Sequence, residues 1–498
     1  MEFLLITQCS LLFVATYLLV NHVILRGRSK NNGSTKLPPG PRPLPIIGNL
    51  LALRDKPHKS LAKLARVHGP LVTLKLGQVT TVVVSSPATA REILQKHDAT
   101  LSNRYIIDAI RAQGHHEAGL AWVPVGPTWR KFRKVCYSHI FTNQKLNSSQ
   151  HVRQRTIQQL LAEARESCRV GEAMDVGKAA FRAALSSLSI SVMSLDLADA
   201  ASDTAREFKE LARCIMNDVG EPNLADYFPV LKRFDPQGVR GRVEISFGRI
   251  LDLFGSIIAD RMEKRGADED ILDTLLTTHD ENPELVEIND IKHLLLDLFV
   301  AGTETTSSTL EWAMAELLHK PTTMAKAKAE LEQIIGKGNS IDQESEVSRL
   351  PYLQAVIQET LRLHPAVPLL LPRRAGEEVH VSGFTIPKDA QVLVNVWAMG
   401  RDPEVWEDPC SFTPERFLGS SIDVIGTCFE LIPFGAGRRI CPGLPLAMRM
   451  LQMMLGNLLL SFDWKLPDGV TPECMDMEDR FGITLQKAQP LLAIPLSL

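Results

Sequence analysis

The chain has 498 residues, of which 45% are hydrophobic, and a formal net charge of −3. That supplies a large core, and the near-neutral balance excludes a basic nucleic-acid footprint or an acidic tail. Eight cysteines lie far apart with no C-x-x-C pair, which reads as free thiols in a reducing compartment rather than a disulfide framework.

Phe3–Leu25 is apolar, broken only by Thr7, Gln8, Ser10, Thr16, Asn21 and His22. It is close to the roughly 20 residues needed to span a bilayer. Arg26, Arg28, Lys30 and Lys36 follow it and nothing basic precedes it. The positive-inside rule then keeps the bulk of the chain cytosolic. A cleaved signal peptide would want a basic start and a small-x-small site, and neither is clear. Residues 1–25 are therefore expected to be a single-pass anchor. Residues 26–45 read as a basic linker and a stiff hinge, with five prolines between Leu37 and Pro45.

Residues 46–498 read as one mainly helical domain with a small β portion. Strands are expected within Leu71–Val84, turning at Gly77-Gln78, and within Val379–Val396. Helical periodicity covers 57–68, 87–97, 127–141, 150–168, 175–193, 203–217, 240–265, 288–319, 323–336, 352–363 and 443–461. No G-x-G-x-x-G follows a strand, and there is no Walker loop and no G-x-S-x-G. A bound dinucleotide is not expected.

Four constellations carry chemistry. Trp129 and Arg133 share a helix face and can both donate to a carboxylate, whereas Arg130, Lys131 and Lys134 read as a solvated face. Ala301-Gly302-Thr303-Glu304-Thr305-Thr306 interrupts a long apolar helix with polar groups. Threonine back-bonding predicts a local bulge there, with Glu304 and Thr305 able to relay protons. Glu359 and Arg362 sit at i, i+3, and Arg416 is a downstream partner that would complete a buried charged network. His58, His115, His116 and His364 match no zinc spacing and read as loop or packing residues.

The most informative segment is Phe434–Gly443, with the pattern F-x-x-G-x-R-x-C-x-G. A glycine loop, nearby cations and a following helix N-terminus all favour a thiolate at Cys441. Such a thiolate can be the axial ligand of a haem iron, and Arg439 is placed to pair with a propionate. Arg373 is a further candidate cation.

In this order the motifs resemble those of the cytochrome P-450 superfamily, in particular its plant microsomal members. The likeness runs from the apolar start to Phe481–Lys487. Leu298–Leu318, Glu430–Leu451 and Asp226–Gly238 resemble the plant subgroup that includes geraniol hydroxylases and abietane diterpene oxidases such as ferruginol synthase. The resemblance implies haem b with Cys441 as axial ligand and with Trp129, Arg133, Arg373 and Arg439 on the propionates. It assigns Thr305 and Glu304 to oxygen activation. It also implies electrons from NADPH through a separate flavoprotein reductase, and an endoplasmic-reticulum membrane location. The expected activity is O2-dependent hydroxylation of a lipophilic terpenoid, a monoterpenol or an abietane-type diterpenoid, with successive oxidations allowed. Ile110, Phe299, Ala301, Val367, Leu370 and Ile483 are the expected substrate contacts. The alternative is a haem-thiolate isomerase or dehydratase that uses no O2, disfavoured by the intact Glu304-Thr305 pair. The chain departs from most relatives at Glu304, where they carry Asp, and from many at Ala366, where they carry a second proline.

Overall fold

The computed structural model describes residues 36–199, 203–264, 270–284 and 286–498. The expected anchor at 1–25 and most of the linker lie outside them. The described chain is mainly helical, and the helix Ile288–His319 organises it. Glu287 and Asp290 close its N-terminus with a reciprocal capping box.

Two cores meet along this central helix. Leu294, Leu295, Leu298 and Phe299 on its first half pack with the helices Pro127–Val135, Asp203–Gly220, Val239–Glu263 and Ile271–Glu281. Leu310, Trp312, Met314 and Leu317 on its second half pack with Gln150–Val170, Pro351–Leu363 and Leu444–Ser461. Between the two cores lies Ala301–Thr306, where Ala301 and Gly302 are exposed although the helix on both sides is buried. Leu444–Ser461 is the one described helix long and apolar enough to cross a membrane, and its residues Met450–Leu460 are mostly buried in the second core.

The predicted strands form, but in two separate sheets. Leu71–Leu76 and Val79–Val84 make a hairpin whose second strand pairs in parallel with Gln391–Val394. The sheet continues through Arg373–Arg374 to Asn103–Arg104. Val379–Val381 and Phe384–Ile386 form their own hairpin. Sequence periodicity missed the short strands Asp479–Arg480 and Gln486–Lys487, which pair with each other. Two-residue strands are too short to show an alternation.

The expected bulge in the central helix is not formed. The hydroxyls of Thr303, Thr305, Thr306 and Thr309 each donate to the carbonyl four residues earlier, at 2.7–2.9 Å. They do so within one continuous α-helix, because a shared carbonyl can accept both the hydroxyl and the helical N–H. The proline segment is also more tightly held than a hinge. The Pro39 carbonyl accepts from Thr73 N, and Asn49 donates to the carbonyls of Pro41 and Arg42.

That segment and the 224–234 segment converge on the Gly77-Gln78 turn. Gly77 N donates to Ile47 O and Gln78 N donates to Tyr227 O. Large apolar side chains stand exposed around this junction: Leu44, Ile46, Leu51, Val230 and Phe234, the last 71% exposed.

Candidate active site

The cysteine loop is built by backbone geometry. Cys441 N donates to Phe434 O at 3.0 Å, and Ile440 N to Gly437 O at 3.1 Å. Gly437 takes φ +70, and a Cβ there would stand 2.2 Å from Leu94 O and 2.8 Å from the Asp98 carboxylate. Only glycine combines that conformation with that approach. Burial pushes the Cys441 thiol up, while the amides of Gly443 and Leu444 and the Arg133 guanidinium pull it back toward ionisation. These two amides belong to the start of the Leu444–Ser461 helix, whose dipole favours an anion.

Around the loop four guanidiniums converge from distant parts of the chain. Arg133 donates to Ile440 O at 2.7 Å, and Arg373 reaches Ala436 O and Asp98 Oδ1, each at 3.2 Å. Arg439 donates to the carbonyls of Ser102, Leu120 and Val123. Arg104 donates to those of Ala121 and Leu371. Trp129 lies between Arg133 and Arg439, whose guanidiniums stand 5.7 and 5.2 Å from its ring. Burial and the like charges of Arg373 and Arg133 push Arg439 down to about 9, and burial with the like charges of Arg439, Arg373 and Arg133 pushes Arg104 well below its ordinary value. Arginine stays protonated in proteins, so this pressure is the cost of burying like charges together, which bound anions would relieve.

The sequence pointed to Trp129, Arg133, Arg373 and Arg439, and the fold brings them together. Arg104 and Asp98 were not expected. Asp98 accepts from Arg438 N at 3.1 Å as well as from Arg373, tying the loop to the Asp98–Leu101 helix. No local spacing could have announced either residue. Lys131 corrects the expectation of a solvated face. It pairs with Asp290 at 2.5 Å, a bond that joins its helix to the start of the central one.

The charged network expected at Glu359 is complete. Arg362 meets both Glu359 oxygens at 2.6 and 2.7 Å, and Arg416 Nε reaches Oε1 at 3.1 Å. Glu359 and Arg362 are essentially unexposed, so their charges are compensated within the protein. Glu166 and Arg169, with the same spacing, form only an exposed surface pair.

Glu304 and Thr305 are adjacent but not bonded to each other. Thr305 Oγ1 donates to Ala301 O at 2.7 Å, and Glu304 accepts from Gln486. Burial raises the Glu304 carboxyl above its ordinary value. Among the expected substrate contacts, Ala301 is exposed, and Val367, Leu370 and Ile483 are partly so. The Leu370 side chain lies against Gly435 of the cysteine loop, and Leu485 N donates to Ala366 O at 2.8 Å. Ile110 and Phe299 are buried instead. The Phe299 ring packs 5.4 Å from Phe254 and 5.7 Å from Phe208. His115 contacts His293 and Asp297, His364 stacks on Trp312 and bonds Glu316, and His58 packs between Trp397 and Phe481.

A thiol held by two helix-start amides, beside an excess of buried guanidinium, fits a thiolate-ligated haem and its two carboxylates. Such a fold and donor set define a haem-thiolate monooxygenase, which takes O2, an organic substrate and electrons from a redox partner. The chain belongs to the cytochrome P450 family, whose model matches residues 38–493. It is 55% identical over 468 residues to a geraniol 8-hydroxylase of Swertia mussotii, covering 93% of this chain and 94% of that one. It is 50% identical to a drimenol monooxygenase of Persicaria hydropiper over 474 residues, 94% of each chain. It is 48% identical to a 7-ethoxycoumarin O-deethylase of Helianthus tuberosus over the whole of both chains.

One feature at the edge of the site carries a pH dependence. Asp226 Oδ1 accepts from Asp108 N at 2.6 Å, and the Asp108 carboxylate is fully buried with Arg240 at 3.6 Å. Arg111, Lys232, Tyr105 and Tyr227 also face this pair. Burial lifts Asp226 from 3.8 to about 6. Its folded value lies above its unfolded one, so ionising it costs stability, and that cost grows as pH rises from about 4 to about 6. Asp226→Asn should therefore stabilise the protein by about 1–2 kcal/mol at pH 7.5 and not at pH 4. Paired thermal melts at the two pH values measure it, and an equal shift at both would count against the assignment.

Proposed function

We propose that the chain hydroxylates a lipophilic terpenoid, a monoterpenol or an abietane-type diterpenoid, with successive oxidation to aldehyde or acid allowed. The observation that carries this is the open stretch at Ala301-Gly302, bounded by two apolar cores. In this reading the nearby guanidiniums of Arg104, Arg133, Arg373 and Arg439 are taken up by the haem carboxylates, so none of them is assigned to an acidic substrate. Two of the three relatives described above are named for geraniol and drimenol.

In this reading Cys441 would supply the thiolate to the iron, and Trp129, Arg133, Arg373 and Arg439 would hold the propionates, with Arg104 adding positive charge to the same cluster. Held there, haem would supply the activation of O2, with one oxygen atom passing to substrate and the other to water at the expense of NADPH. Val367, Leu370, Ile483 and Ala301 orient the substrate, while Ile110 and Phe299 shape the wall from within the core. Thr305 and Glu304 hold and move the protons the reaction consumes. Glu359, Arg362 and Arg416 keep the framework around the loop in place.

The electron donor is proposed to be a membrane-bound NADPH–flavoprotein reductase. Residues 1–25 would anchor the chain in the endoplasmic-reticulum membrane, 26–45 would link it, and 46–498 would form the cytosolic haem domain. The exposed apolar side chains around Gly77-Gln78 support a body that rests against the bilayer.

The test is a product screen on microsomes carrying the full chain and a reductase, under isotopically labelled O2. Label in a terpenoid alcohol is the expected result. Turnover confined to phenylpropanoids, fatty acids or alkoxycoumarins would overturn the substrate reading. In the same assay Thr305→Ala should raise the hydrogen peroxide released per NADPH, and an unchanged ratio would remove Thr305 from the proton path.

A further inference from the structure

Glu304 is not simply exposed to the open stretch beside it. Its carboxylate accepts a hydrogen bond from the Gln486 side-chain amide, and the Gln486 carbonyl oxygen accepts one from Arg480. Arg480 and Gln486 face each other across the hairpin formed by Asp479–Arg480 and Gln486–Lys487. Arg480 is exposed, and Gln486 and Glu304 are both partly buried. The three side chains form a line from solvent to the central helix.

The hairpin is locked to the helix at a second point. Ser308, one turn beyond Glu304, donates its hydroxyl to the buried Leu485 carbonyl at 2.9 Å. The tip of the same hairpin carries Ile483, whose backbone N stands 2.8 Å from where a Cβ on Gly220 would be. Leu485 N bonds the Ala366 carbonyl. One short hairpin therefore touches the helix that holds the acid, the segment with Val367, and the end of the Asp203–Gly220 helix.

From this geometry we propose that Gln486 is the positioning residue for Glu304, coupling the acid to the hairpin whose tip meets the substrate. The proposal rests on the reading of Glu304 as a proton-handling group. Gln486 suits the task because an amide both donates to a carboxylate and accepts from a guanidinium, passing the orientation of one to the other without carrying charge. The length of glutamate matters, since its extra methylene extends the carboxyl group toward the strand.

The structure also gives a readout independent of turnover. Burial raises the Glu304 carboxyl and the Arg480 charge opposes that rise. The Gln486 N–H stabilises the ionised form, so removing it should raise the carboxyl further. Holoenzyme from the full chain would be prepared as wild type, Gln486→Leu, Glu304→Gln and the double variant. The protonated-carboxyl infrared band that disappears in Glu304→Gln would be titrated with pH. We expect its midpoint to rise by about one pH unit in Gln486→Leu. With a reductase present, hydrogen peroxide released per NADPH should rise about threefold in Gln486→Leu and not change further when Glu304→Gln is already in place.

An unmoved band, or additive effects in the double variant, would overturn the proposal. If Glu304→Gln alone leaves the peroxide ratio unchanged, the reading of Glu304 fails, and the infrared titration still decides whether Gln486 governs that carboxyl. Should Gln486→Leu fold poorly, Arg480→Gln at the exposed end of the line should move the midpoint in the same direction by a smaller amount. No movement there overturns the proposal as well.

Discussion

Replacing Cys441 by serine is expected to abolish the red-shifted Soret band of the carbon monoxide complex of the reduced protein, together with most bound haem. Burial pushes the Cys441 thiol up, and the amides of Gly443 and Leu444 and the Arg133 guanidinium oppose that rise, ready to stabilise a thiolate bound to iron. A serine hydroxyl is far less acidic than a thiol, and the same donors cannot bring it to an anion. No nearby thiol can substitute. Cys136, close enough to feel the charge of Cys441, is fully buried and pushed up to about 12. The loop should survive the change because its bonds are backbone ones, such as Cys441 N to Phe434 O. Haem content by pyridine haemochromogen and the carbon monoxide difference spectrum measure the outcome. Normal levels of both would remove the central assignment.

Arg362→Leu should have the largest effect on stability, about 3–5 kcal/mol. Arg362 gives two bonds to Glu359 and others to the carbonyls of Pro409, Ser411 and Gly400. Its loss strands Glu359, which has no exposed surface, with Arg416 and Thr413 N as remaining partners. Lysine should not rescue it, since one ammonium cannot serve a fork of acceptors. Arg169→Leu is the control: the spacing to Glu166 is the same, but both groups are exposed, and no measurable change is expected. Chemical denaturation of the purified variants checks both. A shift for Arg362→Leu no larger than for Arg169→Leu would mean that the network is dispensable.

The two ion pairs show where local reading stops. Glu166/Arg169 and Glu359/Arg362 are the same pattern on a helix. What separates them is the chain between 400 and 416, which wraps over the second pair and supplies Arg416 and a set of carbonyls. A motif becomes a buried network only when a distant segment desolvates it. Glu304 teaches the same lesson in reverse. Its neighbour in sequence, Thr305, is not its partner; Gln486, on a strand of two residues, is.

The sequence by itself determined most of the long helices, including the full span of the central one though not Ile271–Glu281, because apolar periodicity acts within a few turns. It also determined the cysteine loop, since a glycine-rich turn ahead of a helix start needs only neighbouring residues to favour a thiolate. Tertiary structure alone decided which charges meet. Arg104, Arg133, Arg373 and Arg439 come from elements far apart in the chain, and Asp98 joins them only because Gly437 lets two backbones approach. It also decided that the central helix runs straight through its threonines, and that Phe299 turns into an aromatic cluster while Ala301 stays open. Burial and long-range electrostatics depend on what covers a residue, and that covering comes from parts of the chain no local pattern can name.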